Sequence, residues 1–264
     1  MTSETNVRII DRRAPEDHGR AFLPGAGKTW LLPFYDLFSR VADVRRLHER
    51  VAQLAEIAPG QTVVDVGCGT GNLSFAVLAA QPAARVTGLD PDDDALRRAA
   101  RKARRRDVSL TLVQGYADRI PAEDATLDHV VSSLALHHVD DDGRTGFAND
   151  ALRALRPGGK VTIVDFGGPA SGTDGANSTD SAHQTHHAAH GHGHSPAHLL
   201  RHLPGLSRVV RILRSRVATS PVVSRNFENG LVTLLAGAGF ADAREIEHLD
   251  HRFGRVTFVQ ATRP

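Results

Sequence analysis

The chain has 264 residues, 41% of them hydrophobic and 23% charged, a balance that suits one large globular domain or two small ones. Its 32 basic and 30 acidic residues leave a net charge of +2, so the pI near 9.0 reflects a small excess of base rather than a nucleic-acid-type charge field. A single cysteine, Cys68, excludes an intrachain disulfide and cysteine-based zinc cages, and together with the lack of an apolar leader or a long apolar run it points to the cytoplasm.

The first 25 residues are polar and broken by Pro and Gly, which predicts an irregular lead-in. From Pro33 onward Leu37, Val41, Val44, Leu47, Val51 and Leu54 recur every three or four residues and predict an amphipathic helix, stopped before the turn Pro59-Gly60. A strand–helix alternation follows. Strands are expected at Thr62 to Val66, Arg85 to Asp90, Ser109 to Gln114, Leu127 to Ser132 and Lys160 to Asp165. Helices are expected at Asn72 to Ala80, Asp92 to Arg105 and Arg144 to Leu155. This rhythm predicts a parallel sheet covered by helices on both faces. A further helix from Asn226 to Ala236 precedes two strands, Ala243 to His248 and Val256 to Ala261, joined closely enough to pair antiparallel.

Between the fifth strand and that last helix the composition changes. From Gly167 to Pro196 the chain is mostly Gly, Ser, Thr, Ala, Asp and His, and eight of the fifteen histidines fall between His183 and His202. His183, His186, His187, His190, His192 and His194 are candidate metal ligands, although Gly- and Ala-spaced imidazoles define no single cage. Leu206 to Val217 then reads as an amphipathic helix with an arginine face, fit for a lid over substrate or a contact with anionic lipid. The expected division is a lead-in with a cap helix (1–57), an α/β core (58–166), an insertion with a lid helix (167–225) and the remainder of the core (226–264).

Two charged features carry less. Gly25-Ala26-Gly27-Lys28-Thr29 imitates a phosphate loop, but the required earlier glycine is Phe22 and no strand precedes it. The basic run from Arg97 to Arg106 shares its helix with Asp92, Asp93 and Asp94, so acids at the start and bases at the end complement the helix dipole on a solvated face.

The chemistry concentrates at Asp65-Val66-Gly67-Cys68-Gly69-Thr70-Gly71, directly between a strand and a helix. Alternate glycines let the main chain turn sharply and approach a ligand closely, and the helix beyond offers unpaired amides. A dinucleotide fingerprint would place its third glycine at Asn72. A pyrophosphate would be repelled by Asp65, whereas an ammonium group would be attracted. Asp90, 90 − 67 = 23 residues beyond the first glycine, ends the next strand where a carboxylate accepts hydrogen bonds from ribose hydroxyls. A ribose, an amino group and no phosphate describe S-adenosylmethionine (SAM).

With VVDVGCGTG, GLDPD (Gly88 to Asp92), SSLALHHV (Ser132 to Val139), LRPGGKVTIVDF (Leu155 to Phe166) and GAGF (Gly237 to Phe240) in order, the chain resembles class I SAM-dependent methyltransferases of the UbiE/type-11 group over Ala58 to Ala261. The resemblance implies a Rossmann-like three-layer α/β sandwich with a seven-stranded, mostly parallel sheet of order 3-2-1-4-5-7-6 and an antiparallel last strand. It also implies methyl transfer from SAM to a small acceptor; the arginine-faced helix leaves peripheral membrane contact open for a lipophilic one, and the charge balance points to no nucleic-acid partner. By the same resemblance Asp65, Gly67, Gly69 and Gly71 surround the methionine moiety, Asp90 holds the ribose, and Ala117 and Asp118 border the adenine, with Cys68 and Pro91 also expected in the cofactor pocket. The family's Gly-Asp-Ala reads Gly115-Tyr116-Ala117 here, so a tyrosine replaces an acid. Ser132 is expected to line the cofactor and Tyr35 to close over it. Cys68 reads as a small packing residue, and His137 is the candidate general base. A non-catalytic SAM-binding protein and a metal-handling protein built on the same fold are the alternatives.

Overall fold

The computed structural model describes residues 6–17, 20, 44–167, 230–251 and 254–264. Tyr35, the six candidate metal-binding histidines and the Leu206 to Val217 helix lie outside the described residues.

The elements are β1 (Val7–Asp11), a 3-10 turn (Pro15–Asp17), α1 (Val44–Leu54), β2 (Thr62–Val66), α2 (Asn72–Ala80), β3 (Arg85–Asp90), α3 (Asp93–Arg105) and β4 (Leu110–Gln114). They continue with β5 (Leu127–Ser133), a 3-10 turn (Leu136–His138), α4 (Asp141–Ala154), β6 (Leu155–Phe166), α5 (Gly230–Gly237), β7 (Ala241–His251) and β8 (Gly254–Thr262). The sheet has eight strands in the order β1-β4-β3-β2-β5-β6-β8-β7. Leaving out β1, that is the expected order. β8 runs antiparallel to both β6 and β7, and every other pairing is parallel.

The sequence reading is corrected at the N-terminus. Val7–Asp11 is no irregular lead-in: it pairs parallel with β4 from Val7↔Leu110 to Asp11↔Gln114, making an eighth strand at the sheet edge. Four of its five residues are exposed, Ile9 and Ile10 among them, so the hydrophobic pattern that marks a buried strand is missing.

Strand alternation feeds the two faces. Val63, Leu112, Val131 and Val164 pack with Leu47 and Val51 of α1, Val77 of α2 and Leu96 of α3. Their neighbours Val64, Val113, Val130 and Ile163 pack on the other face with Phe147 and Ala151 of α4 and Leu231 and Leu235 of α5. Both faces are therefore covered, as continuous β-branched runs require.

Helix starts follow local chemistry. Asp92 caps α3 by accepting from Ala95 N at 3.1 Å, and Asp140 caps α4 by accepting from Gly143 N at 2.9 Å. The chain leaves β2 toward β3 on one side and β5 on the other. The crevice at the carboxyl ends of β2 and β5 is thus the topological switch point, where open α/β sheets bind ligands.

Candidate functional site

At that crevice the glycine turn is held from several directions. Gly67, Gly69 and Gly71 take φ of +71°, +51° and +81°, a region costly for residues bearing a Cβ. Gly67 also has no room for one: a Cβ there would lie 2.3 Å from Ala135 Cβ. Gly67 N and Cys68 N both donate to Leu89 O, at 2.8 and 3.1 Å, and Gly71 N donates to Cys68 O at 2.8 Å. Cys68 is buried, with its Sγ where a Cβ on Gly88 would come within 2.7 Å. From α3, Lys102 Nζ reaches back to donate to Thr70 O (3.0 Å), Thr70 Oγ1 (2.8 Å) and Asn72 Oδ1 (3.0 Å).

Two buried carboxylates face this turn. Asp65 accepts a 2.6 Å hydrogen bond from Ser74 Oγ, while its Oδ1 is buried with no partner among the described residues. Burial pushes its pKa up to about 7, against the Ser74 hydrogen bonds and with help from the charge of Asp90. Asp90 accepts from Gly69 N at 2.7 Å through Oδ2 and from Asp92 N at 2.9 Å through Oδ1. Burial lifts it to about 6 in spite of those two donors, and the charge of Asp92 adds to the rise. Neither acid is paired with a cation among the described residues. Such a pair favours a ligand that brings positive charge and hydroxyl donors, and disfavours a phosphate. The orphaned Asp65 oxygen and the open space beside Gly69, where a Cβ would meet nothing within 4 Å, therefore fit the amino-acid end of SAM.

The other expected residues lie at or just beyond the carboxyl ends of β3, β4 and β5. Ser132 Oγ donates to Val66 O at 2.9 Å, tying β5 to the end of β2. Pro91 O accepts from Gln114 Nε2 at 3.1 Å. Ala117 and Asp118 follow β4, and Asp118 Oδ2 accepts from Arg20 at 2.8 Å. Tyr116 is buried, and its hydroxyl donates to Arg20 O at 2.7 Å.

His137 lies in the turn after β5, which begins at Ala135 against Gly67. Its Nδ1 donates to Asp165 Oδ1 at 2.7 Å and its backbone N to Asp165 Oδ2 at 3.1 Å. Burial alone would raise Asp165. The charge and hydrogen bond of His137, with the amides of Phe166 and His137, bring it below the usual carboxylate range instead. His138 is driven down to about 4 by burial and by its neighbour His137. Asp165, Ser74, Lys102 and Arg20 were not singled out from sequence. Asp165 stands inside the LRPGGKVTIVDF motif, whereas Lys102 sits in a basic run whose pattern points to a solvated face.

Residues 63–159 match the family model described as Methyltransferase domain. A demethylmenaquinone methyltransferase of Deinococcus radiodurans is 31% identical over 179 residues, covering 67% of this chain and 71% of that relative. An uncharacterized methyltransferase of Synechocystis is 33% identical over 152 residues, covering 54% and 69%. The chain belongs to the class I SAM-dependent methyltransferases, in the UbiE/type-11 group. This methyltransferase is also 34% identical over 123 residues to the 27-O-demethylrifamycin SV methyltransferase of Amycolatopsis mediterranei, covering 46% of this chain and 44% of that enzyme. Among solved structures, a SAM-dependent methyltransferase from Aquifex aeolicus superposes with a TM-score of 0.54 at 16% identity, covering 87% of this chain and 98% of that one. The cyclase SpnF gives 0.60 at 17% identity, covering 83% and 80%; such likenesses describe the fold alone. Among the described residues of the methyltransferase, no group of three or more His, Cys, Asp or Glu is arranged for a metal ion, and no helix is long and apolar enough to cross a membrane.

Proposed function

We propose that the cleft methylates a small-molecule acceptor, with His137 as general base oriented by Asp165. SAM, when bound, supplies a methyl group on a sulfonium that departs as neutral S-adenosylhomocysteine (SAH). Asp65 Oδ1 accepts from the amino group of the methionine moiety. Gly67, Gly69 and Gly71, with Cys68 in the wall, let the main chain lie against that moiety. Asp90 receives the ribose hydroxyls beside Pro91, Ser132 closes the β5 side, and Ala117 and Asp118 border the adenine. In its neutral form His137, with Nδ1–H held by Asp165, would take the proton of an acceptor O–H or N–H on Nε2 as the acceptor gains the methyl group. Proximity and exclusion of water supply the rest of the rate.

The observation that carries this reading is the buried, unpartnered Asp65 Oδ1 beside a turn in which Ala135 links the glycine loop to His137. The relatives named for demethylmenaquinone and for 27-O-demethylrifamycin SV favour a quinone-like, phenolic or otherwise lipophilic acceptor. We place the enzyme in the cytoplasm, where the lone thiol of Cys68 stays reduced. The test is incubation with methyl-labelled SAM and a panel of phenols, quinones and amines. Label transfer to a panel member with matching SAH release supports the reading. Tight SAM binding without turnover on any of them would favour a non-catalytic SAM-binding protein.

A further inference from the structure

We infer that Arg20, on the strap that follows β1, is a positioning residue for the nucleoside end of the cofactor site. This rests on the reading that the stretch after β4 borders the adenine. β1 pairs in parallel with β4, so the chain beyond β1 emerges at the same carboxyl edge as the cleft. Arg12 N extends the pairing by donating to Gln114 O at 3.0 Å.

The strap then grips the segment Tyr116 to Arg119 by reciprocal ion pairs. Arg20 Nη1 donates to Asp118 Oδ2 at 2.8 Å, from strap to loop. Arg119 donates back to Asp17 Oδ2 at 2.9 Å and Glu16 Oε1 at 3.1 Å, from loop to strap. Tyr116 Oη donates to Arg20 O at 2.7 Å, and the Arg20 guanidinium sits over the Tyr116 ring, 4.4 Å from its centroid. On the far side the loop is pressed against α4, where a Cβ on Gly146 would lie 2.7 Å from Asp118 Cβ. Asp118 is thus wedged between Arg20 and α4, with its Oδ1 buried and unpartnered among the described residues.

This geometry makes Arg20 the strap's direct hold on Asp118, and so on where Ala117 and Asp118 stand. The Arg20–Asp118 pair is partly exposed, 33% and 23% by side chain, so its removal takes little from global stability. Its effect falls on local placement, which a purely structural pair would not translate into base selectivity.

The test measures binding of SAH and of its deaminated analogue, S-inosylhomocysteine, to the full chain and to Arg20→Ala and Arg20→Lys. The wild type is expected to prefer SAH. Arg20→Ala weakens SAH by about tenfold and narrows the preference, raises KM for SAM by a similar factor with a much smaller change in kcat, and melts within about 3 °C of wild type. Arg20→Lys, keeping the charge, recovers part of the affinity. If Arg20→Ala discriminates the two ligands as the wild type does, the assignment to Arg20 is overturned while the adenine loop stands. If the wild type itself does not discriminate them, the adenine-loop reading fails and takes the proposal with it.

Discussion

Asp165 Oδ1 accepts the Nδ1–H of His137 at 2.7 Å from a position with no solvent exposure, joining the end of β6 to the turn after β5. The carboxylate is further bound by the amides of His137 and Phe166, at 3.1 and 2.8 Å, so it cannot rotate away without losing three donors. An acceptor-only carboxylate on Nδ1 sets the tautomer, leaving the Nε2 lone pair as the free one. The neighbouring His138 ring, 4.0 Å from that of His137, is held neutral by burial and does not compete for the proton.

His137→Gln and Asp165→Asn are therefore expected to lower kcat by about 10² to 10³-fold. SAH affinity should stay within a small factor of wild type, since neither residue faces the buried acids of the glycine turn. Turnover on an identified acceptor and calorimetry with SAH measure the two separately. Unchanged turnover in His137→Gln would remove the general base from the mechanism.

Gly67→Ala combines a left-handed φ with a collision between Cβ atoms at 2.3 Å. Gly60→Ala meets the same backbone penalty, at φ +80°, with open space around the new methyl. The expected losses are about 1 kcal/mol for Gly60→Ala and about 2 to 4 kcal/mol for Gly67→Ala, with SAH binding lost in the latter alone. Urea denaturation of the pair isolates the contact with Ala135, and equal losses would mean the crossing is looser than described.

Lys102 brings three donors to the turn from the adjacent helix, and Thr70, its main partner, is buried. Lys102→Met should weaken SAH binding by about five- to tenfold, because the loop must then be ordered when the ligand arrives. A variant that binds SAH as well as wild type would show that the loop holds its shape through its main-chain bonds alone.

Most of the sheet was legible because its strands are β-branched runs ending at Gly, Asp or Pro, and the parallel order followed from the motifs. β1 was not, since the adjacent Ile9 and Ile10 break the alternation of VRIID, and the strand is defined by its pairing with β4 rather than by burial. In the site, Asp65 and Asp90 could be read from their place beside the glycines. The Asp165–His137 pair could not: the two are 28 residues apart, and only the parallel register of β5 and β6 brings their ends together. Lys102 shares a helix with exposed arginines, and nothing in its spacing shows that it alone turns back to the loop.

Asp65 and Asp90, raised to about 7 and about 6, bind protons in the free protein that the unfolded chain releases near pH 4. Their contribution to stability therefore falls as pH rises through that window. Buried His48, His129 and His138, lowered to about 4, act in the opposite sense, so thermal unfolding blends the two effects. Ligand binding separates them. An ammonium ligand selects the ionised acids, so SAH affinity should climb from pH 5 to about 7.5 and then level. Calorimetry at pH 6 in buffers of different ionisation enthalpy should show proton release, and the climb should flatten in Asp65→Asn. Proton uptake, or an affinity indifferent to pH, would contradict the assignment.

The most direct measurement is calorimetric titration of the full chain, Asp65→Asn and Asp90→Asn with SAH at neutral pH. Wild type should bind one equivalent, and each variant, folded as judged by its unfolding transition, should bind at least about tenfold more weakly through loss of a charge-assisted hydrogen bond. Wild-type affinity retained in both variants would mean that these two carboxylates do not hold the cofactor.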